Sequence, residues 1–321
     1  MTSQNTPPRD ESTPTTGSEP PAPMGSSMGH RQTVHLPEDP FAQLLEVLDV
    51  QALGANTFIG QSQPQPQGRA FGGQVLAQCV MAAGRTMDGL DERRIHSLHA
   101  YFLRPADSTR EIRFEVERLR DGRSFSARRV AAYQDDRVVL SMTTSFQDPA
   151  DGLDHQEPMP DVPAPEELPS IAELLAGVDD PRAAFLTRGR PVDMRWVDGP
   201  LYGPDFARAD HQSVWVRLTG ALPTDPLLHA AASAYLSDYT LLEPVLRCHG
   251  IPWTDRRLRP ASLDHVMWFH RRPRLDGWML YTQASPSAQS GRGLGVGRLF
   301  HADGTLMASV AQEGMVRIKE D

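Results

Sequence analysis

The sequence predicts an α+β chain in which one helix-plus-antiparallel-sheet unit is used twice. Three observations carry this expectation. Each half sets a segment of helical apolar spacing ahead of segments in which apolar and polar residues alternate. The halves repeat at a nearly fixed distance: Ser97-Leu98 returns as Ser262-Leu263 after 165 positions, Ser126-Ala127-Arg128 as Ser290-Gly291-Arg292 after 164, and Gln147 as Gln312 after 165. Finally, 321 residues with 39% apolar content suffice for two cores. The same offset sets Gly72-Gly73 opposite Ser237-Asp238.

Residues 1–37 hold Pro, Ser, Thr, Gly and Glu with almost no large apolar side chains, so they read as a disordered tail. Asp39-Pro40 opens a helix through FAQLLEVLDV, with an N-cap acid followed by proline where no N–H is needed. A second helix is expected in FGGQVLAQCVMAAGRTM, with Phe71, Val75, Leu76, Cys79, Val80 and Ala83 on one face. The period then falls to two: Ile112, Phe114 and Val116 alternate with charged residues, and the turns at Asp121–Arg123 and Gln134–Asp136 fold an antiparallel meander. The acidic, proline-rich stretch over 149–200 reads as a connector holding one short helix, started by the capping box Ser170-x-x-Glu173. Beyond it, one helix is expected over Asp225–Leu246. Strands ASLDHVMWFH, GWMLYTQAS, GLGVGRLF and LMASVAQEGMV follow, with hairpin signals at Asp276-Gly277 and Asp303-Gly304.

A long helix wrapped by a curved antiparallel sheet is the hotdog arrangement, and two such units in one chain make a double hotdog. The reading gives residues 38–148 to the first unit and 201–321 to the second. Open edge strands of the two would pair into one continuous sheet.

Composition excludes several kinds of chemistry. The net charge of −9 argues against nucleic acid or an anionic membrane as partner. Lys319 is the only lysine among 32 basic residues, so no interior lysine exists for a Schiff base or a P-loop. Two cysteines, Cys79 and Cys248, make neither a disulfide framework nor a zinc site and point to a reducing compartment. With neither a 20-residue apolar run nor a signal-peptide layout, the reading is a soluble cytoplasmic protein.

The segments RAFGGQVLAQ, HSLHAYFLRPADS, ERLRDGRSFSARRVAAYQ, TTSFQ, LDHVMWFHRR and ASVAQEGMVR together resemble the acyl-CoA thioesterase II family, from about Phe41 to Arg317. The resemblance implies a double hotdog, hydrolysis of acyl-CoA thioesters without metal or bound cofactor, and a catalytic site in the C-terminal unit. Its Asp, hydroxyl residue and Gln, which position the attacking water, fall on Asp238 in YLSD, Ser262 two before Asp264, and Gln312 in AQEG. Ser262 stands where threonine is common, Tyr239-Thr240 follow the Asp where Leu-Asn is usual, and GRGLGVGRLF is unusually rich in glycine.

Thioester hydrolysis needs a water made nucleophilic and a place for the charge that develops on the carbonyl oxygen. Asp238 would accept the water's proton, Ser262 and Gln312 would hold it, and backbone N–H groups at a helix N-terminus would meet the oxygen. Each residue also has a plain structural reading: Ser237-Asp238 as an N-cap, Ser262 as a strand residue, Gln312 as a polar neighbour on a sheet. The first unit has glycine where Asp238 stands in the second, which makes it a scaffold and a wall of the acyl channel. Gly72 and Gly73 either admit close approach to a helix start or permit a tight entry turn, the turn being preferred.

Gly72, Gly73 and Arg292 are the candidate substrate-binding residues. The clusters Arg256, Arg257, Arg259 and Arg271, Arg272, Arg274 are further candidates for the CoA phosphates. Gly25-x-Ser27-x-Gly29 is rejected as a nucleophile motif because it sits in the tail, and the glycines at 291–297 as a phosphate loop because a strand follows. His96 and His99 would face opposite sides of a strand, and Cys79 reads as packing. Two rivals remain: a hotdog enoyl-CoA hydratase using Asp264-His265, and a non-catalytic acyl-CoA binder or sensor. The second is favoured if Asp238, Ser262 and Gln312 scatter. Association into a homo-oligomer is expected.

Overall fold

In the computed structural model, which describes residues 36–88, 93–176, 181–202 and 206–320, helix α1 (Pro40–Leu48) begins as its sequence dictates. The Asp39 carboxylate accepts the Phe41 and Ala42 N–H groups at 2.9 and 3.0 Å. Residues 1–35 of the expected tail lie outside the described residues. A hairpin the sequence reading missed, β1 (Gln51–Gly54) and β2 (Thr57–Gly60), comes next. Helix α2 (Gly72–Gly84) precedes β3 (Arg94–Phe102), β4 (Ile112–Asp121), β5 (Phe125–Gln134) and β6 (Arg137–Gln147). Asp135 and Asp136 take left-handed φ values of 48° and 57°, which closes the β5–β6 turn expected there. The one-faced pattern expected of α2 is corrected: every residue from Gly73 to Gly84 is buried, because a second helix covers the side away from the sheet.

The connector region contains α3 (Ile171–Leu174), opened by the Ser170–Glu173 capping box, then α4 (Pro181–Arg188) and strand β7 (Val192–Trp196), which pairs with β8 (His211–Leu218). The sheet of the second unit therefore starts inside the stretch expected to be connector. The single helix expected over Asp225–Leu246 is two, α5 (Pro226–Ser237) and α6 (Glu243–His249). Pro244 lacks the N–H that a continuous helix would require there. The strand expected in ASLDHVMWFH is also two, β9 (Leu258–Ser262) and β10 (Asp264–Phe269). They are followed by β11 (Met279–Gln289), β12 (Arg292–His301) and β13 (Leu306–Ile318). Asp276-Gly277 closes no hairpin, since β10 and β11 are not neighbours. Ser290-Gly291, at φ 55° and 72°, turns β11 into β12, and Gly304 at φ 87° lies in the β12–β13 turn.

All thirteen strands join one antiparallel sheet in the order β1-β2-β4-β5-β6-β3-β10-β13-β12-β11-β8-β7, with β9 also on β13. The two units meet at the β3–β10 seam, where Ala100 faces His265. These residues are one repeat distance apart, so a local two-fold axis passes between them. Helices α2 and α5 pack antiparallel: the start of α2 lies at the end of α5, where a Cβ on Gly73 would stand 2.5 Å from the Tyr235 carbonyl oxygen. At the other end, a Cβ on Gly84 would meet Leu227. Both helices belong to one apolar core fed by both units. The arrangement is a double hotdog.

The glycine run in β12 has a packing cause. Cβ atoms on Gly293 and Gly295 would stand 2.4 Å from Val245 Cγ1 and 2.0 Å from the Leu241 carbonyl oxygen. The chain from Leu241 into α6 therefore lies directly on the strand.

Candidate active site

A register slip delivers two of the three expected residues to one face. Ser262 pairs with Gly314, whereas Val266 pairs with Ala311, so β9 and β10 are offset by one residue against β13. Leu263 takes up the slip. In an unbroken strand Ser262 and His265, three apart, would point to opposite faces. Across the slip they share the helix-facing side with Gln312. Gln312 Nε2 donates to Ser262 Oγ at 3.0 Å, and Ser262 Oγ donates to Asp238 Oδ1 at 3.4 Å.

Asp238 reaches this point as the C-cap of α5. The alternative reading of Ser237-Asp238 as an N-cap is therefore corrected. The helix N-terminus at the site belongs to α2 of the first unit: its N-cap is Phe71, which provides no side-chain hydrogen bond, and the Gly73 N–H donates to the Asp238 carboxylate. Here the repeat offset misleads. Gly72-Gly73 and Ser237-Asp238 are not equivalent positions, because α6 is an extra helix between α5 and β10; they are contact partners. The preference for a tight turn at these glycines is also corrected. A Cβ on Gly72 would stand 2.8 Å from Asp238 Oδ2, so the glycines permit close approach.

Burial pushes the Asp238 carboxyl up to about 6, against hydrogen bonds from Gln312, Gly73 and Ser262 that favour its charged form. A carboxylate so placed accepts protons readily near neutral pH. Behind it lies a second rank that the sequence reading did not assign. His265 is wholly buried, its Nδ1 against Gln312 Oε1 and its Nε2 2.9 Å from Ser237 Oγ. Burial brings its pKa down to about 4. With both ring nitrogens engaged, it is not free to act on an enoyl group, and Asp264 points away to accept the Glu313 N–H. The hydratase dyad is not formed. The rings of Phe71 and Tyr239, chain neighbours of Gly72 and Asp238, border with Tyr235 a cavity of about 70 Å³, with the Arg190 guanidinium 4.9 Å from the Tyr239 ring centre.

Four of the candidate phosphate ligands are paired with carboxylates outside this cluster. Arg292 donates to Glu313 at 2.9 Å on the surface, Arg257 pairs with Asp255, Arg271 with Asp154 and Arg274 with Asp303. The expectation that His96 and His99 face opposite sides is corrected: a bulge between Ile95 and Ser97 leaves His96 on Ser145 and Phe125 and His99 on Trp268, all on the outer face of the sheet. Burial raises the Cys79 thiol far above its ordinary range. Among the described residues, no group of three His, Cys, Asp or Glu is placed to hold a metal ion, and no helix is long and apolar enough to cross a membrane.

Comparison with known proteins follows the same division of the chain. A family model described as acyl-CoA thioesterase N-terminal domain matches residues 61–147, and one described as acyl-CoA thioesterase matches 184–315. The chain is 35% identical to acyl-CoA thioesterase 2 of Haemophilus influenzae, over 86% of this chain and 98% of that protein. It is 35% identical to human acyl-coenzyme A thioesterase 8, over 85% and 88%. The crystal structure of acyl-CoA thioesterase II TesB2 from Mycobacterium marinum matches with a TM-score of 0.71 and 40% identity, covering 86% of this chain and 99% of that one.

Proposed function

The chain belongs to the acyl-CoA thioesterase II family and is a thioester hydrolase, and we propose that it cleaves fatty acyl-CoA by direct attack of a water held by Asp238, Ser262 and Gln312. The observation that carries the reading is the convergence of three side chains from three separate segments into one hydrogen-bonded group at an uncapped helix start. A non-catalytic binder would not need a carboxylate kept there against its desolvation cost.

The water oxygen bonds to the thioester carbonyl carbon as its proton passes to Asp238. The carbonyl electrons move onto oxygen, which is met by the first-turn N–H groups of α2, with Gly72 foremost because Gly73 serves Asp238. Collapse breaks the carbon–sulfur bond and the proton returns to sulfur, leaving a free acid and CoA thiol. No acyl-enzyme forms. Arg292 would exchange Glu313 for a CoA phosphate.

The test is thiol release from acyl-CoA of four to eighteen carbons. Wild-type protein should hydrolyse part of this series, and Asp238→Asn should lower kcat by about 10²–10⁴-fold. Because the base must be ionised, kcat/KM should rise with pH up to about 6 and then level. Near-wild-type turnover by Asp238→Asn would remove Asp238 as the base.

A further inference from the structure

The reaction as written leaves one buried titratable side chain without a task. His265 is fully enclosed, yet both ring nitrogens sit against polar atoms: Nδ1 against Gln312 Oε1 and Nε2 against Ser237 Oγ. The ring is neutral, since burial holds its pKa near 4, and so carries one proton. An amide oxygen has none to give. The Asp238 carboxylate and the Ser262 oxygen hold the NH2 end of Gln312, so Oε1 faces the ring and the ring proton resides on Nδ1; Nε2 then shares the Ser237 hydroxyl proton with the Ala234 carbonyl, 2.9 Å from the same oxygen.

This has a consequence for Gln312. With Oε1 committed to the imidazole N–H, the NH2 end can only face Ser262 and Asp238. A flipped amide would present its carbonyl oxygen to the Asp238 carboxylate, a repulsive contact, and would take from that carboxylate one of its donors. Donation then runs from His265 to Gln312 to Ser262 to Asp238, and each bond polarises the next.

Resting on the thioesterase reading of this site, we propose that His265 is a positioning residue: as a neutral Nδ1–H tautomer it fixes which end of the Gln312 amide meets the water and Asp238. It touches no substrate atom.

Three substitutions separate this from a packing role. Asparagine carries its amide nitrogen at the same bond distance from Cβ as Nδ1, so His265→Asn keeps a donor toward Gln312. Glutamine places its nitrogen one bond further, where Nε2 lies, and leucine has no donor. His265→Leu and His265→Gln should each lose about 10–100-fold in kcat with KM within about twofold, and His265→Asn should recover most of the loss. Equal recovery by Gln and Asn, or wild-type kcat in His265→Leu, overturns the proposal. Should the variants fail to fold, ¹⁵N chemical shifts of wild-type His265 decide: protonated Nδ1 supports it and protonated Nε2 overturns it. A wild-type protein that releases no thiol from any acyl-CoA sinks the catalytic reading instead, while the nitrogen shifts still settle the tautomer.

Discussion

The two ends of the α2–α5 helix pair are related by the repeat and are built oppositely. At the start of α5, Asp225 caps its own helix by accepting the Leu227 N–H at 2.8 Å. Across from it, α2 ends in Arg85, a cation at a helix C-terminus that pairs with Asp49. Both choices favour stability. At the start of α2 the cap residue is Phe71, without a side-chain bond, and α5 ends in Asp238, an anion at its own C-terminus. Both choices cost stability. The strands repeat the contrast: His265 lies beside Gln312, while its counterpart Ala100 faces Met142. The difference teaches that one architecture serves twice, and that the proposed site lies where a helix leaves its first N–H groups to a residue from the other unit.

The sharpest way to break the comparison is to add one methyl group at each end. In Gly73→Ala the new carbon meets the Tyr235 backbone oxygen, which cannot step aside without moving α5. Turnover should fall by about 10²-fold, the order of loss for a displacement near 1 Å at reacting groups. In Gly84→Ala the carbon meets only the branched end of Leu227, so turnover should stay within about twofold while some stability is lost. Equal loss of turnover in both variants would show that the ends do not differ.

A smaller effect concerns stability. The folded protein binds a proton at Asp238 more tightly than the unfolded chain does, at about 6 against 3.8. The stability this residue contributes is therefore fully present below about pH 3.8 and lost as pH rises through about 6. Asp238→Asn, which carries no charge, should be more stable than wild type at pH 8 by roughly 3 kcal/mol. The gap should close toward pH 4 in urea titrations. No gap at pH 8 would mean that the acid is not held against its desolvation cost. Smallest of all, Arg85→Ala should cost about 0.5 kcal/mol by thermal melting and leave thiol release unchanged.

Much of the fold is legible in the residues. The Asp39-Pro40 start, the alternation in β4 and the turn at Asp135-Asp136 each carry a local physical cause. So does the second unit's existence, through the recurring serines. The break between α5 and α6 was hidden because apolar spacing runs on through LSDYTLLEPVL; Pro244 is the signal that counts against it. β1, β2, β7 and β8 have weaker patterns and gain their place from the sheet. Within the site, Asp238, Ser262 and Gln312 were found through family resemblance rather than spacing. The repeat offset assigned Gln147 to Gln312, but the pairing partner of Ala100 is Met142, so equal spacing did not mean equal position. His265 could not be given its role from the sequence, because that depends on the slip at Leu263, a tertiary event with no local signature.

The seam between Ala100 and His265 bears on how such a chain comes to be asymmetric. Two identical copies meeting across a two-fold axis must present the same residues at both ends of their helix pair, so a sequence suited to catalysis at one end imposes its cost at the other. Joining the copies in one chain frees each end to diverge. On the proposed mechanism one end then holds the protein together and the other holds the water, with the α2 start drawn from the first unit and Asp238, Ser262 and Gln312 from the second.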